Sequence, residues 1–235
     1  MEVIKKNLRE INTLLFDLDG TLLDSREFLM NIQFTALDKH YPGQYSYELI
    51  VENFGNVFHE LLLSIDPDGN RVVADEFCLE KLNGYHKSSP PFPGVIPGLQ
   101  ALKNRGFKLG VVTNQQREPV NNALQAYGMA ELFEVIIAIE DVSKGKPSPE
   151  GIADALQHIG TDPDCAAMVG DTNVDLLAAQ NAGILSVLLA WYEDKDTSLY
   201  KPDLTCSSFK QLLEIFIDDT QDNQPNMRIE KLGGD

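Results

Sequence analysis

Two carboxylates, Asp17 and Asp19, close an apolar run that reads Leu14-Leu15-Phe16. A buried parallel strand brings side chains to a crevice at its C-terminal end in this way. In an unbroken strand, residues i and i+2 point the same way, so both acids would face one cleft. Gly20, followed by Thr21, allows a sharp turn directly after them. Acids sharing a cleft repel each other. The site therefore needs a cation, a shared proton or a change of charge on the substrate to hold both. The chemistry on offer is a carboxylate nucleophile with a second carboxyl near enough to act as acid and base. The competing reading is a plain strand, turn and helix cap with acids at a sheet edge, and the rest of the chain argues against it.

Three later segments bear polar residues where a strand should end. Thr113-Asn114 closes an apolar run, and a hydroxyl with the backbone N–H groups of such a turn can hold phosphate oxygens. Lys146 precedes Pro147, a rigid setting from which an ammonium can offset the charge of a nucleophilic carboxylate and of a phosphate. Lys144, two residues earlier, reads as a solvated loop lysine. Gly170-Asp171-Thr172-Asn173-Val174-Asp175 closes a further run. Asp171 is placed to complete an oxygen-rich magnesium site. Asp175 follows one helical turn on, where it can bond metal water or Lys146, or simply favour a helix N-terminus.

The elements that must position these residues follow from hydrophobic rhythm. Strands are expected at 12–17, 107–113, 135–139, 165–170, 184–190 and 204–206, and helices at 99–105, 119–127, 149–159, 174–181 and 209–217. Gly106, Gly128, Gly160 and Gly183 stand where helices should close. Alternating units of this kind make an α/β fold with a doubly wound parallel sheet, whose strand ends share one edge. From about 25 to 90 the apolar spacing is helical instead: Phe28, Ile32, Leu37, Leu49, Phe54, Phe58, Leu61, Leu62, Val72, Val73, Phe77, Leu82 and Tyr85. This reads as a helical bundle of roughly four helices inserted after the first strand. Asp66-Pro67-Asp68-Gly69-Asn70 reads as a turn within it, not a calcium loop. The expected division is an α/β catalytic core at 1–24 and 91–217, a helical cap at 25–90 and a flexible tail at 218–235.

Composition narrows the partners. The 235 residues carry a formal net charge of -17, which repels nucleic-acid backbones and anionic lipid. An anionic substrate would then need local positive charge from a metal or a well-placed lysine. The 3 cysteines are far apart and form no C-x-x-C, so no zinc site or disulfide framework is indicated. No signal peptide or membrane-spanning run is visible. The expected setting is cytoplasmic, as a monomer or weak homodimer, with neither nucleic acid nor membrane as a partner.

Taken in order, Asp17-x-Asp19-Gly20-Thr21, Thr113-Asn114, Lys146-Pro147 and Gly170-Asp171-x-x-x-Asp175 resemble the motifs of the haloacid dehalogenase-like (HAD) phosphohydrolases. The resemblance spans residues 12–217. The helical insert resembles that family's cap domain of the first type. The return segment Phe92-Pro93-Gly94-Val95 resembles the phosphoglycolate phosphatase and pyrophosphatase group. It implies a Rossmann-like core and a Mg2+-dependent phosphatase that hydrolyses small phosphate monoesters or pyrophosphate through an aspartyl-phosphate. On that resemblance Asp17 attacks phosphorus, while Asp19 protonates the leaving oxygen and then activates water. Asp17 and Asp171 bind Mg2+ by side chain and Asp19 by its carbonyl. Thr113, Asn114 and Lys146 grip the phosphoryl group, and Asp175 supports the metal site. An acid at Asp19 together with Asp171 points to phosphate chemistry and away from carbon–halogen cleavage. The alternatives are a sugar phosphomutase of the beta-phosphoglucomutase type and a non-catalytic regulatory or binding protein on the same scaffold. Gln115 and Gln116 stand where relatives often carry a Lys or Ser. Substrate choice is expected in the insert, with Arg26, His40, His59, Arg71, His86, Lys87, Tyr45 and Tyr47 as candidate contacts.

Overall fold

In the computed structural model, residues 8–52, 71–192 and 200–217 are described. Six strands form one sheet: β1 (Thr13–Phe16), β2 (Lys108–Val112), β3 (Val135–Ile137), β4 (Ala166–Gly170), β5 (Leu185–Leu189) and β6 (Leu204–Cys206). Their order is β3-β2-β1-β4-β5-β6, and every pairing is parallel. The chain leaves β1 toward β2 and β3, then returns to build β4, β5 and β6 on the other flank. Strand order therefore reverses between β1 and β4, and the crevice that such a reversal opens lies at their C-terminal ends.

Period-2 alternation sends the strand residues to two separate cores. Leu14 and Phe16 of β1 join Leu109, Val111, Ala167 and Val169 on one face. That face is covered by α4 (Val95–Asn104), α5 (Arg117–Ala126) and α8 (Phe209–Phe216). Leu15 points the other way, to Val112, Ala166 and Met168. There α6 (Glu150–Ile159) and α7 (Asn173–Ala182) pack through Ile152, Ala155, Leu156, Ala178 and Ala179. With both faces covered, the strands are mostly apolar, with Thr13, Lys108, Ser186 and Thr205 as the polar exceptions.

Between β1 and β2 the chain inserts helices α1 (Arg26–His40), α2 (Tyr47–Glu52) and α3 (Arg71–Ser88). They share an apolar cluster of their own: Met30, Ala36, Leu37, Ile50, Val73 and Phe77. The expected helical positions Phe54, Phe58, Leu61 and Leu62, the turn at 66–70 and the tail at 218–235 lie outside the described residues.

The two connections between insert and sheet run side by side. Asp24 N–H donates to the Pro90 carbonyl at 2.8 Å, and Phe92 N–H donates to the Leu22 carbonyl at 3.0 Å. Trp191 stacks on Phe92 with ring centroids 4.5 Å apart, and its indole N–H donates to the Thr21 carbonyl at 2.9 Å. The crossing is thus pinned to the loop that follows β5.

Most elements stop within a residue or two of the expected limits. Helix α4 is the exception: it begins at Val95, where the sequence suggested 99. Pro97 falls in its first turn, where a missing N–H costs no intrahelical bond, so the proline does not delay the start. Among the described residues, no helix is long and apolar enough to cross a membrane.

Candidate active site

Asp17 extends β1 by one position, its N–H donating to the Val169 carbonyl of β4 at 2.9 Å. Asp171 follows β4 and is fully buried, and Asp175 is buried in the first turn of α7. A carboxylate oxygen from each of Asp17, Asp171 and Asp175 lies within 4.8 Å of the others. Lys146 reaches this cluster from the loop after β3. Its Nζ donates to Asp17 Oδ1 at 2.6 Å and to Asp175 Oδ1 at 2.6 Å. Three of the four segments singled out in the sequence therefore meet here, because parallel strands deliver their C-terminal ends to one edge.

One ammonium does not balance three clustered carboxylates. Burial pushes the Asp17 carboxyl up from 3.8 to about 7; Lys146 opposes this, while Asp175 and Asp19 add to it. Burial would lower the Lys146 ammonium, but Asp17 and Asp175 outweigh it and hold the group above its ordinary value, fully charged. An oxygen-only, electron-rich pocket of this composition suits a hard divalent cation.

Close approach is secured by Gly20. It sits at φ 75, and a Cβ there would lie 2.3 Å from Asp171 Oδ2. The next residue, Thr21, donates its hydroxyl to Asp171 Oδ1 at 3.1 Å. Asp175 is oriented by its own helix start. Its Oδ2 accepts from the Thr172 N–H at 3.1 Å and from the Thr172 hydroxyl at 2.7 Å. Both of its oxygens are thereby engaged.

Thr113 is buried just past β2, and its hydroxyl oxygen accepts the Gln115 N–H at 3.1 Å. Asn114 spends its side chain on Lys146. Its Nδ2 donates to the Lys146 carbonyl at 3.0 Å, and its Oδ1 accepts the Lys146 N–H at 2.8 Å. The amide thus clamps the lysine's main chain and aims its side chain. The Lys146–Pro147 peptide is cis. Lys144 is exposed, as the sequence suggested.

Asp19 is held from the insert. Its Oδ1 accepts from the Ser25 hydroxyl at 2.5 Å and from the Tyr85 hydroxyl of α3 at 2.5 Å. Its Oδ2 is buried with no hydrogen-bond partner among the described residues. Burial, then the neighbouring Asp19, push the Tyr85 phenol well above its ordinary value, so it remains a donor. Neither Ser25 nor Tyr85 is marked as a site residue by the sequence. Tyr85 registered only as one more apolar position on a helix. The polar partner of its hydroxyl lies 66 residues away, beyond any local pattern. We expect Tyr85→Phe to lower kcat about 10-fold with KM little changed, since a hydrogen bond to a carboxylate is worth roughly 1.5–3 kcal/mol. Unaltered steady-state kinetics would remove Tyr85 from the site.

The foreseen insert contacts have other partners. The Arg26 guanidinium lies 4.8 Å over the Tyr192 ring, and His40 pairs with Glu76 at 2.8 Å. Tyr45 packs edge-on against Tyr41, and Tyr47 against Phe34. The His86 carbonyl accepts from Tyr127, and Lys87 is exposed. His59 lies outside the described residues, as does the side chain of Arg71.

A parallel sheet whose switch point gathers four aspartates and a lysine beneath an inserted helical bundle defines a class of hydrolase. Residues 14–189 match the model of the haloacid dehalogenase-like hydrolases, and the chain belongs to that family. It is 36% identical over 211 residues to the pyrophosphatase PpaX of Bacillus pumilus, covering 89% of this chain and 98% of that protein. It is 33% identical to PpaX of Halalkalibacterium halodurans, covering 88% and 97%. Among solved structures, a predicted phosphoglycolate phosphatase of Haemophilus somnus superposes with a TM-score of 0.78. It is 26% identical, with 89% of this chain and 99% of that chain covered. The chain is an enzyme, a phosphatase of the HAD family.

Proposed function

We propose that this phosphatase hydrolyses small phosphate monoesters or pyrophosphate with Mg2+, through a covalent phosphate on Asp17. The observation that carries this reading is the meeting of Asp17, Asp171, Asp175 and Lys146, together with a buried Asp19 Oδ2 that has no hydrogen-bond partner among the described residues. The similarity to PpaX pyrophosphatases supports pyrophosphate as a substrate.

Asp17 attacks phosphorus in line with the leaving oxygen, forming an acyl phosphate, and the departing oxygen takes a proton from Asp19 Oδ2. Asp19 then removes a proton from a water that attacks the same phosphorus. Orthophosphate leaves, Asp17 is regenerated as a carboxylate, and Asp19 is again protonated. Splitting the transfer in this way makes two in-line steps whose main demand is positioning and charge neutralisation. Lys146 neutralises Asp17 and the incoming phosphoryl oxygens. The Thr113 hydroxyl and the Asn114 N–H bind those oxygens, and the Asn114 side chain holds Lys146 in place. Asp17, Asp171 and the Asp19 carbonyl would hold Mg2+, with Asp175 orienting Lys146 from behind. The bound ion would offset carboxylate and phosphoryl charge as the transition state forms.

Residues 25–90 form the cap in this reading, and the core comprises 1–24 and 91–217. The free cysteines Cys78, Cys165 and Cys206 support a cytoplasmic setting. A monomer or weak homodimer is enough, since the site gathers its residues from one chain. A screen of phosphorylated metabolites and pyrophosphate, with Mg2+ or with a chelator, tests the proposal. Phosphate release from small substrates that depends on Mg2+ is expected. Release that survives chelation, or none from any substrate, would overturn it.

A further inference from the structure

We propose that Lys81 binds a second anionic group of the substrate, carried on the leaving side of the scissile bond. The inference rests on the phosphatase reading above and names its substrate class: phosphate esters or anhydrides whose leaving group bears its own carboxylate or phosphate.

Two lysines are buried among the described residues, Lys146 and Lys81. Lys146 is paired with two carboxylates. Among the described residues, Lys81 has no carboxylate within ion-pair distance. Its Nζ donates to Gln115 Oε1 and lies 5.1 Å from the centre of the Phe77 ring. An ammonium offers three donors, and its partners among the described residues, a neutral amide and a ring face, carry no charge to compensate it. Burial draws its proton affinity down, and the more distant Asp19 is the first of the groups that resist this. A buried charge held by a neutral partner is a poor structural device and a ready receptor for an anion.

Placement on the helix decides which anion. Cys78, Lys81 and Tyr85 fall at i, i+3 and i+7 of α3, one stripe of the helix. Each meets the sheet side of the crevice. Cys78 Sγ accepts from Gln116 Nε2 at 3.4 Å, Lys81 reaches Gln115, and Tyr85 bonds Asp19 at 2.5 Å. Gln115 follows Thr113-Asn114, the turn assigned to the transferring phosphoryl group. Asp19, the proton donor to the leaving oxygen, sits under Tyr85. The leaving group must therefore emerge beneath this stripe, where Lys81 is the cation. In a chain of net charge -17, such a cation is what lets a multiply charged anion enter. Gln115 holds the lysine without neutralising it and can release it on binding. A carboxylate at 115 would compete with the substrate.

The test compares pyrophosphate and 2-phosphoglycolate, which carry the second anion, with phenyl phosphate, which does not. In Lys81→Met, kcat/KM for the first two should fall about 10- to 100-fold, mostly through KM, with phenyl phosphate altered less than about 3-fold. Lys81→Arg should retain most of the preference. Retained phenyl phosphate turnover also reports an intact fold. Binding of the non-hydrolysable methylenediphosphonate with Mg2+, followed by calorimetry, should weaken by a similar factor in Lys81→Met. Equal losses on all three substrates, no loss on any, or a wild type that prefers phenyl phosphate to both charged substrates would overturn the proposal. If the wild type hydrolyses none of them, the Asp17 mechanism fails instead, and the calorimetry alone decides the role of Lys81.

Discussion

Asp17→Asn should lower kcat by at least about 10^4-fold, for pyrophosphate and for small esters alike. The amide keeps the size of the carboxylate and can still accept the Lys146 hydrogen bond, so neither packing nor the position of Lys146 is lost. Lys146 also keeps its second carboxylate, Asp175. What disappears is the nucleophile and one of the clustered acids proposed to hold Mg2+. The change removes a buried charge whose burial is resisted, since the Asp17 carboxyl is driven up to about 7. The variant should therefore fold at least as stably as the wild type without metal. Near-normal turnover in Asp17→Asn would eliminate the proposed chemistry. A collapse of the fold would instead show that the carboxylate's bond to Lys146 is chiefly structural.

Lys146→Met should have the largest effect on stability. It strips the counter-charge from Asp17 and Asp175, both buried, and the apolar stem cannot replace the hydrogen bonds. Breaking a buried ion pair from one side costs about 3–5 kcal/mol, which in a chain of this size lowers Tm by roughly 10 °C. The loss should depend on pH in a defined direction. The Asp17 carboxyl has a native value raised from 3.8 to about 7, so the folded state binds more protons than the unfolded one across that window. Stability from this group therefore falls as pH rises through the window. Without Lys146, Asp17 loses the neighbour that draws it down, and its preference for the proton grows. Chelator-treated Lys146→Met should thus show a larger deficit at about pH 8 than at about pH 5. Mg2+ should restore part of the deficit by binding only the folded state. Thermal melts at both pH values decide this, and a deficit that is the same at both would contradict the assigned electrostatics.

Much of this is legible in the sequence. The strand ends carrying Asp17, Thr113 and Asp171 were marked by apolar runs that stop at polar residues, with Lys146 in the loop after another strand, and parallel topology makes such ends converge. The helix-closing glycines were visible too: Gly160 and Gly183 adopt left-handed φ of 70 at the ends of α6 and α7. What local pattern did not show were roles set by contacts distant in sequence. Asn114 looked like a phosphate ligand, yet its side chain clamps Lys146, 32 residues away. The insert's charged residues were chosen by type, but several of them pair with neighbours in the insert or at the crossing. Lys81 and Tyr85 face the crevice because of the way α3 is rotated over the sheet. That rotation depends on packing against α1 and on the paired crossing segments near Leu23 and Pro91.

The central claim is that phosphate passes through Asp17, and it can be observed directly. Asp19→Ala should slow the hydrolysis of the acyl phosphate and let it accumulate. The variant is mixed with substrate and Mg2+, quenched in acid and reduced with borohydride, which converts an acyl phosphate to an alcohol. The peptide containing residue 17 is then read by mass spectrometry. The account predicts homoserine at position 17, formed only when substrate and Mg2+ were both present and absent when Asp17 is replaced by Asn. An unmodified Asp17 under turnover, or covalent phosphate on a different residue, would contradict it.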